Sequence, residues 1–217
     1  MKPKVHRQFA DFQSHFQQAD PIVFDLMQQV GPFGLALERN RFWALVRSII
    51  SQQLSTAAAR TIRLRLEALL APEPLTPATL GKLEKPQLRS VGLSNQKADY
   101  LLDLVDKVQG GTVQLSVLGR KKDEEIIREL TQVRGIGRWT AQMFLIFSLG
   151  RLDVFPHDDL GVRVALRDLY GLADLPDPKT SQRIAEVWKP YSSVASWYCW
   201  RKLDLGRSAK PQDVAGK

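Results

Sequence analysis

The sequence predicts an all-α protein. Apolar residues recur at intervals of three and four along most of the chain, the period of one helical face. Capping residues, glycines and prolines punctuate these runs where helices should start and stop. No alternating apolar–polar stretch of useful strand length interrupts them.

The elements follow in order. Phe42, Leu45, Val46, Ile49 and Ile50 share one helical face. Ser55 is placed to cap the next helix, whose stripe runs through Ala59, Ile62, Leu66, Leu69 and Leu70 until Pro72 and Pro74 end it. Thr76 and Pro77 read as a cap followed by proline in the first turn. Ser94 opens a helix with Ala98, Leu101, Leu102, Val105 and Val108 facing inward, closed by Gly110 and Gly111. Asp123 begins another, with Ile126, Ile127, Leu130 and Val133 on its buried side. Residues 139–149 are apolar on nearly all faces and should form the most central helix. Shorter helices are expected at about 160–170 and 179–188, and a last one at about 190–205. Residues 1–206 then form a single domain, since neither a repeat nor a low-complexity linker divides them. Residues 207–217 are polar and aperiodic, and are expected as a flexible tail.

With 217 residues, 44% hydrophobic and 25% charged, the chain has the balance of a soluble globular protein. No apolar stretch approaches the ~20 uncharged residues that span a bilayer, so no membrane association is expected. Residues 1–20 lack the apolar core of a signal peptide. A lone cysteine, Cys199, excludes an internal disulfide framework and any all-cysteine metal site. A reducing intracellular compartment is the simplest reading. The net charge of +8 favours polyanionic partners, because phosphate contacts release counterions.

The most informative segment runs from Leu130 to Ala141, Leu-Thr-Gln-Val-Arg-Gly-Ile-Gly-Arg-Trp-Thr-Ala. One helix ends, two glycines follow two apart, and a second helix begins at once. Glycines permit positive φ and remove the Cβ that would hold a phosphate off the backbone. Amides near Gly135, Gly137 and the following helix start then face outward, where the helix dipole favours an anion. Thr140, in the first turn, has a hydroxyl suited to a phosphate contact or to a local bond. On these residues alone two readings stand: a phosphate-binding hairpin, or a helix corner whose glycines allow tight packing.

Downstream lie Phe155, Pro156, His157, Asp158, Asp159, Leu160 and Gly161, with Asp159 twenty residues after Trp139. Helical periodicity resumes through Val162, Ala165, Leu166 and Leu169, so Asp158 or Asp159 caps this helix. Capping by itself accounts for an aspartate there.

The first segment resembles the helix–hairpin–helix motif of DNA repair glycosylases, whose hairpin reads LxxxxGIGxxTA. The second resembles the FPxxDLG pattern of the 3-methyladenine DNA glycosylase II family, a branch of the HhH-GPD superfamily. The resemblance extends from about Trp43 to Trp200, roughly three-quarters of the chain. It implies two helical subdomains with the active-site cleft between them. One covers about 36–149 with the hairpin at 130–141, and the other about 1–35 plus 150–206. Only about forty residues precede the first match, so the expected form is the compact one without an N-terminal β-domain.

The resemblance also assigns roles. Asp159 matches the catalytic aspartate, while Asp158 fills a variable position. A fixed anion there stabilises positive charge developing on the sugar, and the helix N-terminus favours its ionised form. It is also suited to orient or deprotonate the attacking water. Gly135, Ile136, Gly137, Arg138 and Thr140 form the DNA-binding hairpin, and the Val133 and Ile136 carbonyls match donors to a structural Na⁺ or K⁺. Trp139 stands where bifunctional relatives carry the Schiff-base lysine, which implies hydrolysis without AP lyase activity. The iron–sulfur cluster of other branches needs four cysteines and is not expected, and no cofactor is required.

Trp139 and Trp200 match tryptophans of the base pocket, suited by their indole faces to a cationic alkylated purine. Met143 replaces an aromatic residue there. In the stretch from Arg47 to Thr56, Gln53 is the first choice and Leu54 the second for a wedge that fills the gap of an extruded base. Lys97 matches a lysine that approaches the DNA backbone, against the alternative of an ordinary surface lysine. The implied activity is release of 3-methyladenine or 7-methylguanine from duplex DNA by a monomer located with the DNA. The alternatives are a non-catalytic hairpin protein and a glycosylase for deaminated or oxidised bases.

Overall fold

The structure, a computed structural model, describes residues 3–208. Among the described residues every regular element is helical. In chain order they are α1 (Pro3–Ala19), α2 (Pro21–Val30), α3 (Arg41–Ser51), α4 (Thr56–Leu70), α5 (Pro77–Leu80), α6 (Lys85–Ser90), α7 (Asn95–Gln109), α8 (Asp123–Leu130), α9 (Arg138–Phe147), α10 (Leu160–Leu169), α11 (Pro178–Ala185) and α12 (Ser192–Ser208). Single 3-10 turns stand at Leu118–Arg120 and Glu186–Trp188. None of the described helices is long and apolar enough to cross a membrane. The chain divides into two compact units, Met1–Ala36 with Gly150–Lys217, and Leu37–Leu149.

In the first unit, α1 and α2 pack with α10 and α12 around Phe12, Phe16, Val23, Met27, Leu166 and Trp188. A buried carboxylate organises one side of this core. Asp20 caps α2 by accepting from the Ile22 and Val23 amides at 3.2 and 3.3 Å, with Pro21 pre-set in the first turn. Its other oxygen accepts the Trp188 indole N–H at 2.7 Å and the Tyr170 hydroxyl. These donors satisfy a charge that would be costly to bury alone. Burial, with the Asp20 bond added, pushes the Tyr170 phenol far above its ordinary range.

The second unit runs from α3 to α9, with α7 packed on α3, α5 and α6, and α9 on α3 and α8. Ser55 and Ser94 cap α4 and α7 by accepting from the Ala58 and Lys97 amides, both at 3.2 Å. Glu129, buried on α8, takes the Gln114 amide at 2.7 Å and pairs with Lys121, which joins the loop after α7 to the helix before the hairpin.

The structure corrects several expectations. Leu69 does not join the buried stripe of α4 and is 38% exposed, because it lies beyond the edge defined by Ile62, Leu66 and Leu70. On α7 it is Leu104, not Leu102 or Val108, that is buried with Leu101 and Val105. The stripe turns there to meet both α5 and α3. Helix α12 continues through Ser208, two residues into the expected tail, after an Arg201–Asp204 ion pair one turn apart on its exposed side. The remainder of that tail, 209–217, lies outside the described residues. Helices α1, α2 and α6 carry no sequence expectation, although Asp20-Pro21 is a helix start of the same kind as Thr76-Pro77.

Candidate functional site

Asp159 is the N-cap of α10. Its Oδ1 accepts the Val162 amide at 2.8 Å, so of the two aspartates it is the second that caps the helix. Asp158 faces outward and pairs with His157 at 3.3 Å. The turn before α10 is tied by the Asp159 amide donating to the Pro156 carbonyl at 2.9 Å. Asp159 Oδ1 also accepts the indole N–H of Trp200, 3.0 Å away on α12. Only 8% exposed, the carboxylate is thus aimed by two donors from two helices.

Gly161 explains how Trp200 gets so close. A Cβ there would lie 3.1 Å from Asp159 Oδ1 and 3.2 Å from Trp200 Cδ1. The small residue keeps the first turn of α10 open to the indole. Sequence reasoning gave Gly161 no role, although it stands in the Asp-Leu-Gly string. It placed Trp200 as a wall of the base pocket, and the structure adds the bond to Asp159. Leu160, between the two, is 63% exposed.

In the other unit, the hairpin joins α8 to α9. Gly135 has φ +82°, and a Cβ there would lie 2.1 Å from Tyr100 Cδ2, so both backbone and neighbour require glycine. Gly137, the N-cap of α9, has nothing within 4 Å of a would-be Cβ, and its surface is open to an approaching group. The amides of Gly135 and Gly137 find no acceptor among the described residues. That of Ile136 is used, donating to the Val133 carbonyl at 3.1 Å. Val133 and Ile136 are buried, while Arg134, Gly137 and Arg138 of the same hairpin are exposed. Arg138 pairs with Glu124, and that guanidinium holds the Glu124 carboxyl below its usual range. Thr140 is 7% exposed and lines the hollow described next.

Trp139 is 45% exposed, which the all-round apolar character of 139–149 did not anticipate. With Met143, Thr140, Phe144, Phe147 and Arg47 it lines a hollow of about 200 Å³. A large, partly exposed indole beside an apolar hollow is suited to stack a flat ring.

The corner between α3 and α4 carries the wedge candidates. Gln53 has φ +54°, a left-handed conformation for a non-glycine residue, and its side chain is exposed; Leu54 is 39% exposed. Three contacts missed by sequence reasoning hold this corner and the hairpin. Lys97 donates its ammonium to the carbonyls of Ile50 and Gln52, at 2.8 and 2.6 Å, and so ends α3 as a side-chain cap. Burial lowers its pKa from the ordinary lysine value. This capping role was not expected of Lys97: two donors of its ammonium go to carbonyls at the end of α3. Gln52 then donates its amide to the Gly135 carbonyl at 2.7 Å, and Asp103 accepts the Arg134 amide at 2.8 Å. The available signals were a lysine one turn into a capped helix and an aspartate on the half-buried side of α7.

The family of HhH-GPD superfamily base excision DNA repair proteins matches residues 46–190. DNA-3-methyladenine glycosylase 1 of Schizosaccharomyces pombe is 35% identical over 176 residues, covering 80% of this chain and 77% of that protein. The putative DNA-3-methyladenine glycosylase YfjP of Bacillus subtilis is 33% identical over 176 residues, covering 78% of this chain, which spans 61% of that relative's length. The solved structure of S. pombe 3-methyladenine DNA glycosylase (Mag1) in complex with abasic DNA superposes with a TM-score of 0.81 at 31% identity, covering 92% of this chain and all of that one. The chain belongs to the HhH-GPD superfamily of base excision DNA repair proteins.

Proposed function

We propose that this protein is a monofunctional DNA glycosylase that hydrolyses the N-glycosidic bond of alkylated purines, 3-methyladenine and 7-methylguanine, in duplex DNA. The observation that carries the reading is the Asp159 carboxylate, held at a helix start by the Val162 amide and the Trp200 indole. In the reaction the C1′–N bond breaks and the cationic purine leaves with the bonding electrons, as a neutral base. The Asp159 anion stabilises the positive charge left on the sugar. A water oxygen bonds to C1′ and gives up its proton, for which Asp159 is the acceptor. The product is an abasic site in an unbroken strand, because Trp139 offers no amine for a Schiff base. The departing base is activated by its own alkylation, so the chemistry needs neither a cofactor nor a second carboxylic acid.

Trp139 and Met143 serve as the face on which the extruded base stacks, Gln53 and Leu54 as the wedge that takes its place, and the Gly135 and Gly137 amides as phosphate donors. For a monovalent cation at the hairpin, the donors would be the Val133 and Ile136 carbonyls, the first through the lone pair that the Ile136 amide leaves free; the Gly135 carbonyl between them accepts from Gln52. Carbonyl oxygens fit a hard cation of this kind.

Mass spectrometry of bases released from methylated duplex DNA tests the reading. Release of 3-methyladenine and 7-methylguanine is expected from the wild type, and none from Asp159→Asn, which should still bind the duplex. Binding with no release under single-turnover conditions would make the protein a non-catalytic hairpin module. Release of hypoxanthine or 8-oxoguanine in preference would move it to another substrate class.

A further inference from the structure

A second hollow, of about 340 Å³, lies between α3 and the start of α4, lined by Arg47, Ser51, Leu54, Thr56, Arg60 and Arg63 among others. Three arginines line it and no acidic residue does. Arg60 and Arg63 are one turn apart on α4 and so share a face, and Arg47 comes from the last turns of α3. The Arg63 guanidinium lies over the Trp43 ring at 6.0 Å, which pre-positions it without neutralising it. Neither Arg47 nor Arg60 has an ion-pair partner among the described residues. Three like charges around one concavity repel one another, and an anion lodged among them removes that cost.

The position of the hollow narrows the anion. It shares Arg47 and Ser51 with the hollow beside Trp139 and Met143, and it shares Leu54 with the wedge corner. A base stacked on Trp139 is tethered through its sugar to two phosphates, which cannot lie far from that hollow's rim. The planar fork of arginine matches phosphate oxygens two at a time.

We propose that the Arg47–Arg60–Arg63 hollow is a phosphodiester site that takes the backbone flanking the extruded nucleotide, on the strand that carries the lesion. It rests on the glycosylase reading for the place of the base, but its test is a binding measurement. The probe is a duplex with a tetrahydrofuran abasic analogue, titrated by fluorescence anisotropy between 50 and 200 mM salt. If each arginine of Arg60→Gln/Arg63→Gln gives up one phosphate contact, the slope of log Kd against log salt falls by about 1.8. Methylphosphonates flanking the analogue on its own strand weaken the wild type and leave the variant nearly unaffected.

Three results overturn the proposal: an unchanged slope, an equal fall in Lys82→Gln/Lys107→Gln, whose charges lie outside the hollow, or methylphosphonate sensitivity confined to the opposite strand. Should loss of Arg63 disturb Trp43 and the fold, Arg47→Gln/Arg60→Gln makes the same test on groups with no ion pair among the described residues. A wild type that releases no alkylated base but shows the slope change keeps the phosphate site and loses the enzyme. One that releases base with no slope change does the reverse.

Discussion

Trp200→Phe separates a tryptophan that aims the carboxylate from one that merely walls a pocket. The substitution keeps an aromatic ring on α12 and removes the N–H that donates to Asp159 Oδ1 at 3.0 Å. A hydrogen bond to a charged group contributes about 1.5–3 kcal/mol. If all of it acts on the transition state, the rate falls roughly 10- to 150-fold, at about 1.4 kcal/mol per decade. Val162 keeps its 2.8 Å bond to the same oxygen, so the carboxylate stays at the helix start. The lower end, about 10-fold, is therefore expected. The assay is single-turnover release of 7-methylguanine from methylated duplex DNA, with melting temperature followed in parallel. Trp200→His, which can place an N–H in the same direction, should recover part of the loss. In Asp159→Asn the further change Trp200→Phe should cost little, since the two act as a unit. Wild-type release by Trp200→Phe, beside an inactive Asp159→Asn, would refute the argument and leave Trp200 as packing.

Three further outcomes follow from the hairpin, the corner and the core. Gly135→Ala must hold φ near +82° and clear the Tyr100 ring, at a combined cost of about 2–4 kcal/mol, or roughly 5–15 °C in Tm. Gly135→Ala/Tyr100→Ala should regain the part due to the clash, and a Gly135→Ala protein as stable as wild type would contradict the geometry. Lys97→Met uncaps the Ile50 and Gln52 carbonyls and should slow base release more than it lowers Tm, with Lys97→Arg restoring most of the rate; equal kinetics in all three would leave Lys97 without a part in holding the corner. Burial, with the charges of Asp20 and Asp159 behind it, pushes the Cys199 thiol up to about 12. At pH 8 roughly one in ten thousand is then thiolate, so native protein should resist iodoacetamide and label only when unfolded; stoichiometric labelling of the folded protein would count against this burial.

The sequence alone determined the helical class, most helix starts and the two strings that carry the chemistry. A helix start is a local event, so Ser55, Ser94 and Thr76-Pro77 announce α4, α7 and α5 within a few residues of their own amides. The glycines of the hairpin are legible for the same reason, since positive φ is a property of one residue. Period and capping could not rank Asp158 against Asp159, because either side chain can reach an amide of α10. The family pattern chose Asp159, and the fold shows why it can be held there, through an indole 41 residues away that Gly161 leaves room for. Gln52 on the Gly135 carbonyl, Lys97 on the end of α3, and the arginines gathered around one hollow are likewise products of folding. Each joins residues far apart in the chain, and a 3.6-residue period reports which way a side chain leaves its own helix, not what another helix brings to meet it.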